Sequence, residues 1–216
     1  MKKIASPLFQ DLSEAELDTL AAAGHLRTRQ FAKHEVIFRA GSCVREIGIV
    51  LRGSVHIENL DLWGTKSILS SVGAGQAFAE TYAFCGEALM VDAVAAEHCE
   101  ILFLHTAAFT DARIEPALQD KLLRRLLAVS MRKNLSLSQR IFCTTPKTVR
   151  GRLLTYFSAQ AARCGRMEFE VPFNRQQMAD HLNLDRSALS KELCKMRDEG
   201  LLEFDKNRFV LKQLPE

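Results

Sequence analysis

The sequence lacks closely spaced cysteine pairs. Its six cysteines, at positions 43, 85, 99, 143, 164 and 194, form no C-x-x-C motif. This scatter argues against a zinc ribbon and against a ferredoxin-type cluster. We expect most of these cysteines to be buried, reduced thiols.

Long apolar runs are missing as well. No stretch of the 216 residues approaches the roughly 18 apolar residues needed to span a bilayer. The first residues include two lysines but no long apolar region, so they do not predict a secretory signal. We therefore expect a cytoplasmic protein with no membrane partner.

Net charge is small, at +3, but it is unevenly distributed. Residues 1–146 carry 16 basic and 16 acidic side chains, whereas residues 147–216 carry 13 and 10. The excess positive charge lies in the C-terminal third, which agrees with phosphate binding there without demonstrating it. The chain is long enough for two modest domains, each with its own core.

The N-terminal half predicts a helix followed by short strands. Ser13 and Glu16 have the spacing of a capping box, which predicts a helix of about ten residues ending near Gly24. Six short β-type runs follow, separated by glycines, at 34–38, 46–51, 54–60, 66–72, 89–95 and 100–104. This spacing is typical of an antiparallel sandwich or barrel, whose interior is either filled by side chains or left as a ligand pocket.

Residues 118–142 have apolar side chains three or four positions apart, which predicts one long helix. Its leucines lie on more than one face, so we expect one face on the barrel and another on a second copy of the chain. The alternative is a helix packed wholly within its own chain. The residues assigned to this dimerisation helix are Leu122, Leu123, Leu126, Leu127, Val129 and Met131. Pro146 then forms a hinge before a further helix at 147–164.

Residues 174–202 contain two short helical patterns joined by a tight turn. Asn174 caps the first helix, Asp185 caps the second, and Gly200 ends the second. Two helices joined so closely cross at a steep angle, which is the geometry of a helix-turn-helix. Two short strands around a polar turn follow within 201–212, as in a winged helix.

Polar side chains follow the outward face of the second helix. These outward residues are Arg186, Ser187, Ser190 and Lys191. Such a face can meet guanine edges and phosphates in a DNA major groove, although solvated residues on an ordinary helical hairpin have the same pattern. In the turn of the predicted wing, Lys206 and Arg208 are placed to meet a phosphate.

The order of barrel, leucine-rich helix and winged helix-turn-helix resembles the CRP/FNR family of bacterial transcription regulators. The segments that carry the resemblance are Leu51-Arg52-Gly53-Ser54-Val55, Gly75-Gln76-Ala77-Phe78-Ala79-Glu80, Asn174-Arg175-Gln176-Gln177-Met178-Ala179 and Asp185-Arg186-Ser187-Ala188-Leu189-Ser190-Lys191-Glu192-Leu193. The resemblance implies that the four outward residues face DNA bases and that Arg175 and Gln176 contact phosphates. It also allows RNA polymerase as a partner.

The fold class that the resemblance implies is α+β, with an N-terminal antiparallel β-barrel of jelly-roll type, also described as a double-stranded β-helix. The implied domains are an effector-sensing barrel at 1–116, a dimerisation helix and hinge at 117–145, and a winged helix-turn-helix DNA-binding domain at 146–216.

The sequence predicts an effector other than the family's cyclic AMP. In cyclic-nucleotide members a glutamate holds the ribose, and Glu80 matches it, but the arginine-serine pair that meets the phosphate falls here on Met90-Val91-Asp92. A phosphate buried beside a carboxylate without a cation is strongly disfavoured. Ala79 also replaces the glycine of the cassette turn. The residues expected to line a pocket for another small molecule are Phe78, Ala79, Glu80, Tyr82, Met90, Val91 and Asp92.

The residues that an iron–sulfur cluster, a haem or a catalytic metal would need are not found in the sequence in the required pattern. No cysteine precedes Cys43, as an iron–sulfur member would require, and the six histidines form no recognisable haem set, so no cofactor or metal is predicted. A thiol switch at Cys85 and a constitutive DNA binder with a solid barrel stay open as alternatives. A cupin-like metalloenzyme needs converging histidines, whereas the barrel offers His34, His56 and His98 singly, so we do not expect an enzyme.

The sequence therefore predicts a homodimeric, sequence-specific DNA-binding regulator of the CRP/FNR type, gated by an unidentified small molecule. Its two-fold symmetry predicts a palindromic site on double-stranded DNA.

Overall fold

A computed structural model describes residues 4–60 and 66–212. The two N-terminal lysines and the last four residues of the predicted DNA-binding domain lie outside the described residues. The chain divides into two compact units, Met1–Arg132 and Lys133–Glu216. The predicted boundaries, after residues 116 and 145, differ from this division, which falls inside the long helix. Within the described residues, no helix is both long enough and apolar enough to cross a membrane.

The N-terminal unit begins with a 3-10 turn, Pro7–Phe9, and helix α1, Glu14–Ala22. The capping box predicted at the start of α1 is confirmed. The Glu16 carboxylate accepts a hydrogen bond from the Ser13 backbone N–H at 2.7 Å, and the Ser13 hydroxyl accepts one from the Glu16 N–H at 3.3 Å. Two donors that the first turn leaves unpaired are thereby satisfied.

Eight short strands form the body of this unit. They are β1 (Leu26–Phe31), β2 (Val36–Phe38), β3 (Glu46–Arg52), β4 (Val55–Leu60), β5 (Lys66–Val72), β6 (Ala77–Phe78), β7 (Asp92–Ala95) and β8 (Cys99–His105). They make two four-stranded sheets with the orders β1-β8-β3-β6 and β2-β7-β4-β5, and the pairings are antiparallel. Helix α2, Glu80–Cys85, lies between β6 and β7. The predicted antiparallel, jelly-roll-like β domain is confirmed.

Two strands were not predicted. In β1 only Leu26 and Phe31 are buried, and the four residues between them are exposed, so the alternation that marks a strand is missing. This strand forms because it pairs with β8 along its whole length. The other, β6, has only two residues, which is too short for any periodicity to be seen.

Aromatic rings fill the space inside the barrel. The Phe38 ring lies 5.7 Å from that of Phe78 and 5.6 Å from that of Phe103, which in turn lies 6.1 Å from Phe31. Gly48 on β3 makes room for this packing, since a Cβ at that position would lie 2.3 Å from the Phe78 ring. Phe78 itself is only 2% exposed. Its ring is therefore part of the core of the barrel.

Helix α3, Pro116–Thr144, confirms the predicted long helix. Leu122 and Leu126, which were assigned to a subunit interface, are 0% and 6% exposed and lie in the core of the N-terminal unit together with Leu118. That part of the interface prediction is corrected: the three leucines follow one face of α3, and this face packs within its own chain. Val129 is half-buried, whereas Leu123, Leu127 and Met131 are exposed.

The C-terminal unit contains α4 (Val149–Cys164), β9 (Glu168–Glu170), α5 (Arg175–Leu182), α6 (Arg186–Asp198), β10 (Leu202–Asp205) and β11 (Arg208–Leu211). The three strands form an antiparallel sheet in the order β10-β11-β9. The rings of Phe157, Phe169 and Phe209 are buried at its centre, with the Phe157 and Phe209 rings 4.7 Å apart. The predicted helix-turn-helix with its hairpin is confirmed.

Candidate functional site

Helix α6 is fixed at its start by Asp185. The Asp185 carboxylate accepts hydrogen bonds from the backbone N–H groups of Ser187 and Ala188, at 2.8 and 2.9 Å. The Ser187 hydroxyl and these N–H groups lower the pKa of Asp185, so the cap is ionised at neutral pH. Asn174 caps α5 in the same way, through Gln177, so both predicted caps are confirmed.

The turn between the two helices is as short as predicted. Asn183 adopts a left-handed conformation, with φ +52°, and ends α5. One face of α6 then packs on α5 and the unit's core through Leu189, Leu193 and Met196, which are fully buried. The turn and this buried face together set which residues of α6 face outward.

The four predicted reading residues lie off that buried face. Arg186, Ser187 and Lys191 are exposed, and Ser190 is half-buried. Among the described residues, neither Arg186 nor Lys191 has an acidic partner. Ser187 differs, because its hydroxyl also donates to the Asp185 cap. The structure therefore presents two cations and the Ser190 hydroxyl, which can donate hydrogen bonds to guanine edges and phosphates, and the Ser187 oxygen, which can accept one.

Arg150 on α4 holds α6 from the inner side, and sequence reasoning missed it. Its Nε donates to Glu192 Oε1 at 2.6 Å, and its two terminal nitrogens donate to the Glu199 carboxylate at 2.7 and 2.9 Å. These carboxylates raise the pKa of Arg150, Glu199 first. The clamp ties the middle and the end of α6 to α4. No local pattern could reveal it, because its partners are 42 and 49 residues away along the chain.

Arg175 does not lie where a phosphate contact was predicted. Its guanidinium stacks over the rings of Phe204 and Phe209, 5.0 and 5.1 Å from their centroids. One terminal nitrogen is buried without a hydrogen-bond partner, and burial lowers the pKa of Arg175. The prediction is corrected: the side chain is drawn onto its own aromatic hairpin by cation–π attraction and packs there.

The other predicted phosphate contacts differ in whether their side chains already have a partner within the chain. Gln176 is exposed, and its amide donates to the Asp180 carboxylate at 2.9 Å. Arg208 is paired with Glu168 on the neighbouring strand, its Nε donating to Glu168 Oε1 at 2.6 Å, so a phosphate would compete with this carboxylate for the guanidinium. Lys206 lies in the exposed hairpin turn and has no acidic partner among the described residues.

The residues predicted to line an effector pocket are not all placed to do so. Phe78 is corrected to a core residue of the barrel, and Met90 is 76% exposed, so its side chain faces solvent. Ala79 has φ +61° at the start of α2, a conformation that favours glycine, and Glu80 beside it is buried. Tyr82, Val91 and Asp92 are half-buried. Asp92 accepts a hydrogen bond from the Ala40 N–H at 2.6 Å.

The cysteines are less buried than expected. Cys43, Cys85, Cys164 and Cys194 are exposed thiols, and only Cys99 and Cys143 are buried, so the expectation that most would be buried was wrong. Of the four exposed thiols, Cys43 lies in the loop before β3, Cys85 and Cys164 end α2 and α4, and Cys194 lies on α6. Among the described residues, no three histidine, cysteine or acidic side chains come together in a way that could hold a metal ion.

Comparison with known proteins agrees with both units. Residues 28–113 match the model of the cyclic nucleotide-binding domain, and residues 151–216 match that of the Crp-like helix-turn-helix domain. No curated protein sequence matches the chain. Among solved structures, the catabolite activator protein of Thermus thermophilus is 25% identical, covering 96% of this chain and 94% of its own, with a TM-score of 0.50.

Two more distant structures share the fold. A putative cAMP-binding regulatory protein from Silicibacter pomeroyi is 20% identical over 97% of this chain and 92% of its own, with a TM-score of 0.50. CprK complexed with OCPA is 13% identical over 94% of this chain and 91% of its own, with a TM-score of 0.64. With a cyclic nucleotide-binding domain followed by a Crp-like helix-turn-helix, the chain belongs to the CRP/FNR family of transcription regulators.

Proposed function

We propose that this protein is a homodimer that binds palindromic DNA in a sequence-specific manner and responds to a small molecule other than cyclic AMP. The observation that carries the DNA-binding part is the outward face of α6. It presents Arg186 and Lys191 without an acidic partner among residues 4–60 and 66–212, on a helix whose start, buried face and inner side are all fixed. Such rigidity favours specific reading, because the helix that carries the side chains needs no reordering on binding.

Individual roles follow from the charges left free. Arg186 and Lys191 donate to base edges, with Ser187 and Ser190 as shorter contacts beside them. Lys206 in the hairpin turn and Gln176 at the start of α5 contact phosphates. Arg175 and Arg208 act indirectly, since both are held within the C-terminal unit, where they support the hairpin that carries Lys206.

The exposed stripe of α3 supports dimerisation. Leu123, Leu127, Met131 and Leu135 recur every four residues, and each is about half exposed or more. A continuous apolar stripe on one helix face is the pattern that pairs with a copy of itself about a two-fold axis. Two recognition helices related by that axis read half-sites one helical turn apart, about 34 Å.

Cyclic AMP fits the N-terminal unit poorly. Asp92 stands near the place where the family has a phosphate-binding cation, and its carboxylate is fixed by the Ala40 N–H. A cyclic phosphate there would face a negative charge in the place of the family's cation. The match to the cyclic nucleotide-binding domain therefore gives the fold of this unit, and we propose a different small molecule for it.

A constitutive regulator is a second candidate, favoured by the packing of Phe78. Its ring is surrounded by those of Phe38 and Phe103 and by Gly48, which leaves the centre of the barrel occupied by the chain itself. A thiol-gated regulator is a third, because Cys85 is exposed at the end of α2. A thermal-shift series with organic acids, phenolics, cyclic nucleotides and peroxide separates the three, since a ligand that binds only the folded protein raises its midpoint.

Selection from a random pool of double-stranded DNA tests the proposed function directly. Full-length protein should enrich two-fold symmetric sequences with half-sites about one helical turn apart. Asymmetric enriched sites would contradict the dimer, and failure to enrich any sequence would contradict specific DNA reading.

A further inference from the structure

A groove of about 780 Å³ lies wholly within the C-terminal unit, away from the outward face of α6. Its walls are the last turns of α3, one face of α4, the segment that follows β9, and the first helix of the helix-turn-helix. This volume is in the range of sites that bind small organic molecules. The DNA-binding role proposed above does not use it.

The groove has flat aromatic walls. Phe173 lies beside His181, with the ring centroids 4.8 Å apart, and Tyr156 meets the same imidazole edge-on at 5.6 Å. Phe142 contributes a ring that is 64% exposed on the α3 side. The lining therefore offers several aromatic rings, and a planar aromatic guest can stack on an exposed one such as Phe142.

The inner part of the groove is polar but uncharged. Tyr156 is 3% exposed, and its buried hydroxyl has no hydrogen-bond partner among the described residues. Burial raises the pKa of Tyr156 to about 12 and that of Cys143 above its usual value. Burial, and then Arg140, lower the pKa of His181. The three groups are therefore neutral at pH 7, and one of them lacks a partner.

Charge is found only on the outer lining. Arg163, in the last turn of α4, has no acidic partner among the described residues. Its positive charge acts on Tyr156 and lowers the pKa of that hydroxyl, against the effect of burial. Glu170 lines the same groove from β9. One free guanidinium attracts an anionic group, and the nearby carboxylate disfavours a second one. The lining is thus suited to a monoanion.

We propose that this groove binds a small aromatic monocarboxylate, with its ring between Phe142 and Phe173 and its carboxylate on Arg163. A hydroxyl on the far side of the ring pairs with the Tyr156 hydroxyl. The binding site stands independently of the proposed function. Its consequence for DNA rests on that function, since the ligand touches α3, α4 and α5 together and so bears on the helix-turn-helix.

Calorimetric titration of the full-length protein with 4-hydroxybenzoate, and with its neutral amide, tests the site without DNA. We expect binding of the acid tighter than about 1 mM. Arg163→Gln should weaken binding of the acid by roughly tenfold and leave the amide nearly unchanged, because only the acid makes a charge-assisted hydrogen bond. Arg166→Gln is the matched control, since Arg166 is exposed and outside the groove, and should have no effect.

Two further variants keep the test decisive. Ala159→Phe places a ring inside the groove from an exposed helix position and should abolish binding of both compounds. Tyr156→Phe should weaken 4-hydroxybenzoate a few-fold and leave benzoate unchanged, as expected for one lost hydrogen bond. Absence of binding by either acid would overturn the proposal, as would binding insensitive to both Arg163→Gln and Ala159→Phe. Equal effects of Tyr156→Phe on the two acids would show that the ligand hydroxyl does not pair with Tyr156 and would overturn that pairing.

Discussion

The two units differ in how completely they satisfy their own buried groups. In the N-terminal unit the rings of Phe38, Phe78 and Phe103 pack against one another in the core, and buried His25 is paired with Asp111 at 2.7 Å. In the C-terminal unit, the Tyr156 hydroxyl and one Arg175 nitrogen are buried without partners, the two such side-chain atoms found among the described residues. An unpaired buried polar group is costly, so each of these two atoms is a place where a water or a ligand would complete the hydrogen bonding. The contrast directs attention to the C-terminal unit for binding chemistry.

The largest expected effect tests whether the barrel is closed. Phe78→Ala should lower the free energy of unfolding by about 3–5 kcal/mol, because it removes a ring from a filled core and leaves a cavity. Denaturant unfolding of the full-length protein, followed by circular dichroism, measures it. Met90→Ala is the control and should change stability by less than about 0.5 kcal/mol, since Met90 is exposed. A cost near that of Met90→Ala would mean that Phe78 lines an open pocket.

The next effect concerns the free cations of α6. Arg186→Ala should weaken binding to the selected DNA site by about 1–3 kcal/mol if its guanidinium reads a guanine. Fluorescence anisotropy at fixed salt provides the measurement, and Arg166→Ala supplies a control of the same charge away from α6. An effect equal to that of the control would remove Arg186 from the interface.

A smaller effect, this time a gain in stability, concerns the buried Tyr156 hydroxyl, which has no hydrogen-bond partner among the described residues. Tyr156→Phe should raise the free energy of unfolding at pH 7 by about 1 kcal/mol, because it removes a buried donor that has no partner. The folded-state pKa of Tyr156, about 12, lies above the unfolded value near 10. The protonated hydroxyl's full contribution to the free energy of unfolding of the wild type is therefore present below pH 10, and it is lost as the pH rises towards 12.

The advantage of Tyr156→Phe should consequently grow by roughly 1 kcal/mol between pH 7 and pH 11. Unfolding curves of both proteins at the two pH values check it, with Tyr82→Phe as a matched half-exposed tyrosine. A destabilised Tyr156→Phe protein would show that the hydroxyl is already hydrogen-bonded, for example to water.

The smallest effect belongs to the hairpin turn. Lys206→Ala should weaken binding of all DNA sequences alike and reduce the slope of log affinity against log salt by about 1, as for one lost phosphate contact. A change in which sequence is preferred would instead assign Lys206 to a base.

Local chemistry was predictable from the sequence, and long-range pairing was not. The caps at Ser13, Asn174 and Asp185 depend on residues two or three positions away, so their patterns could be seen directly. Arg150 and Arg208 have partners 40 or more residues distant, and nothing in their neighbourhoods indicates which acids they meet. A free cation and a paired one therefore look alike in sequence.

Burial produced the other differences. Phe78 lies in a segment that resembles the family's ligand cassette, yet its ring fits the space left by Gly48, which is 30 residues earlier. Arg175 lies where a helix start would offer a phosphate contact, but the Phe204 and Phe209 rings of the hairpin attract its guanidinium. In both cases the side chain's neighbours come from another part of the chain, which helical or strand periodicity does not report.

The central claim is that the outward face of α6 reads base sequence. The most direct test compares the sequences that wild-type protein and Arg186→Ala select from one random DNA pool. We expect the variant to lose its preference at one base pair in each half-site, placed symmetrically, while the other positions stay as in the wild type. Uniform weakening with an unchanged preference at every position would contradict it and make Arg186 a phosphate contact.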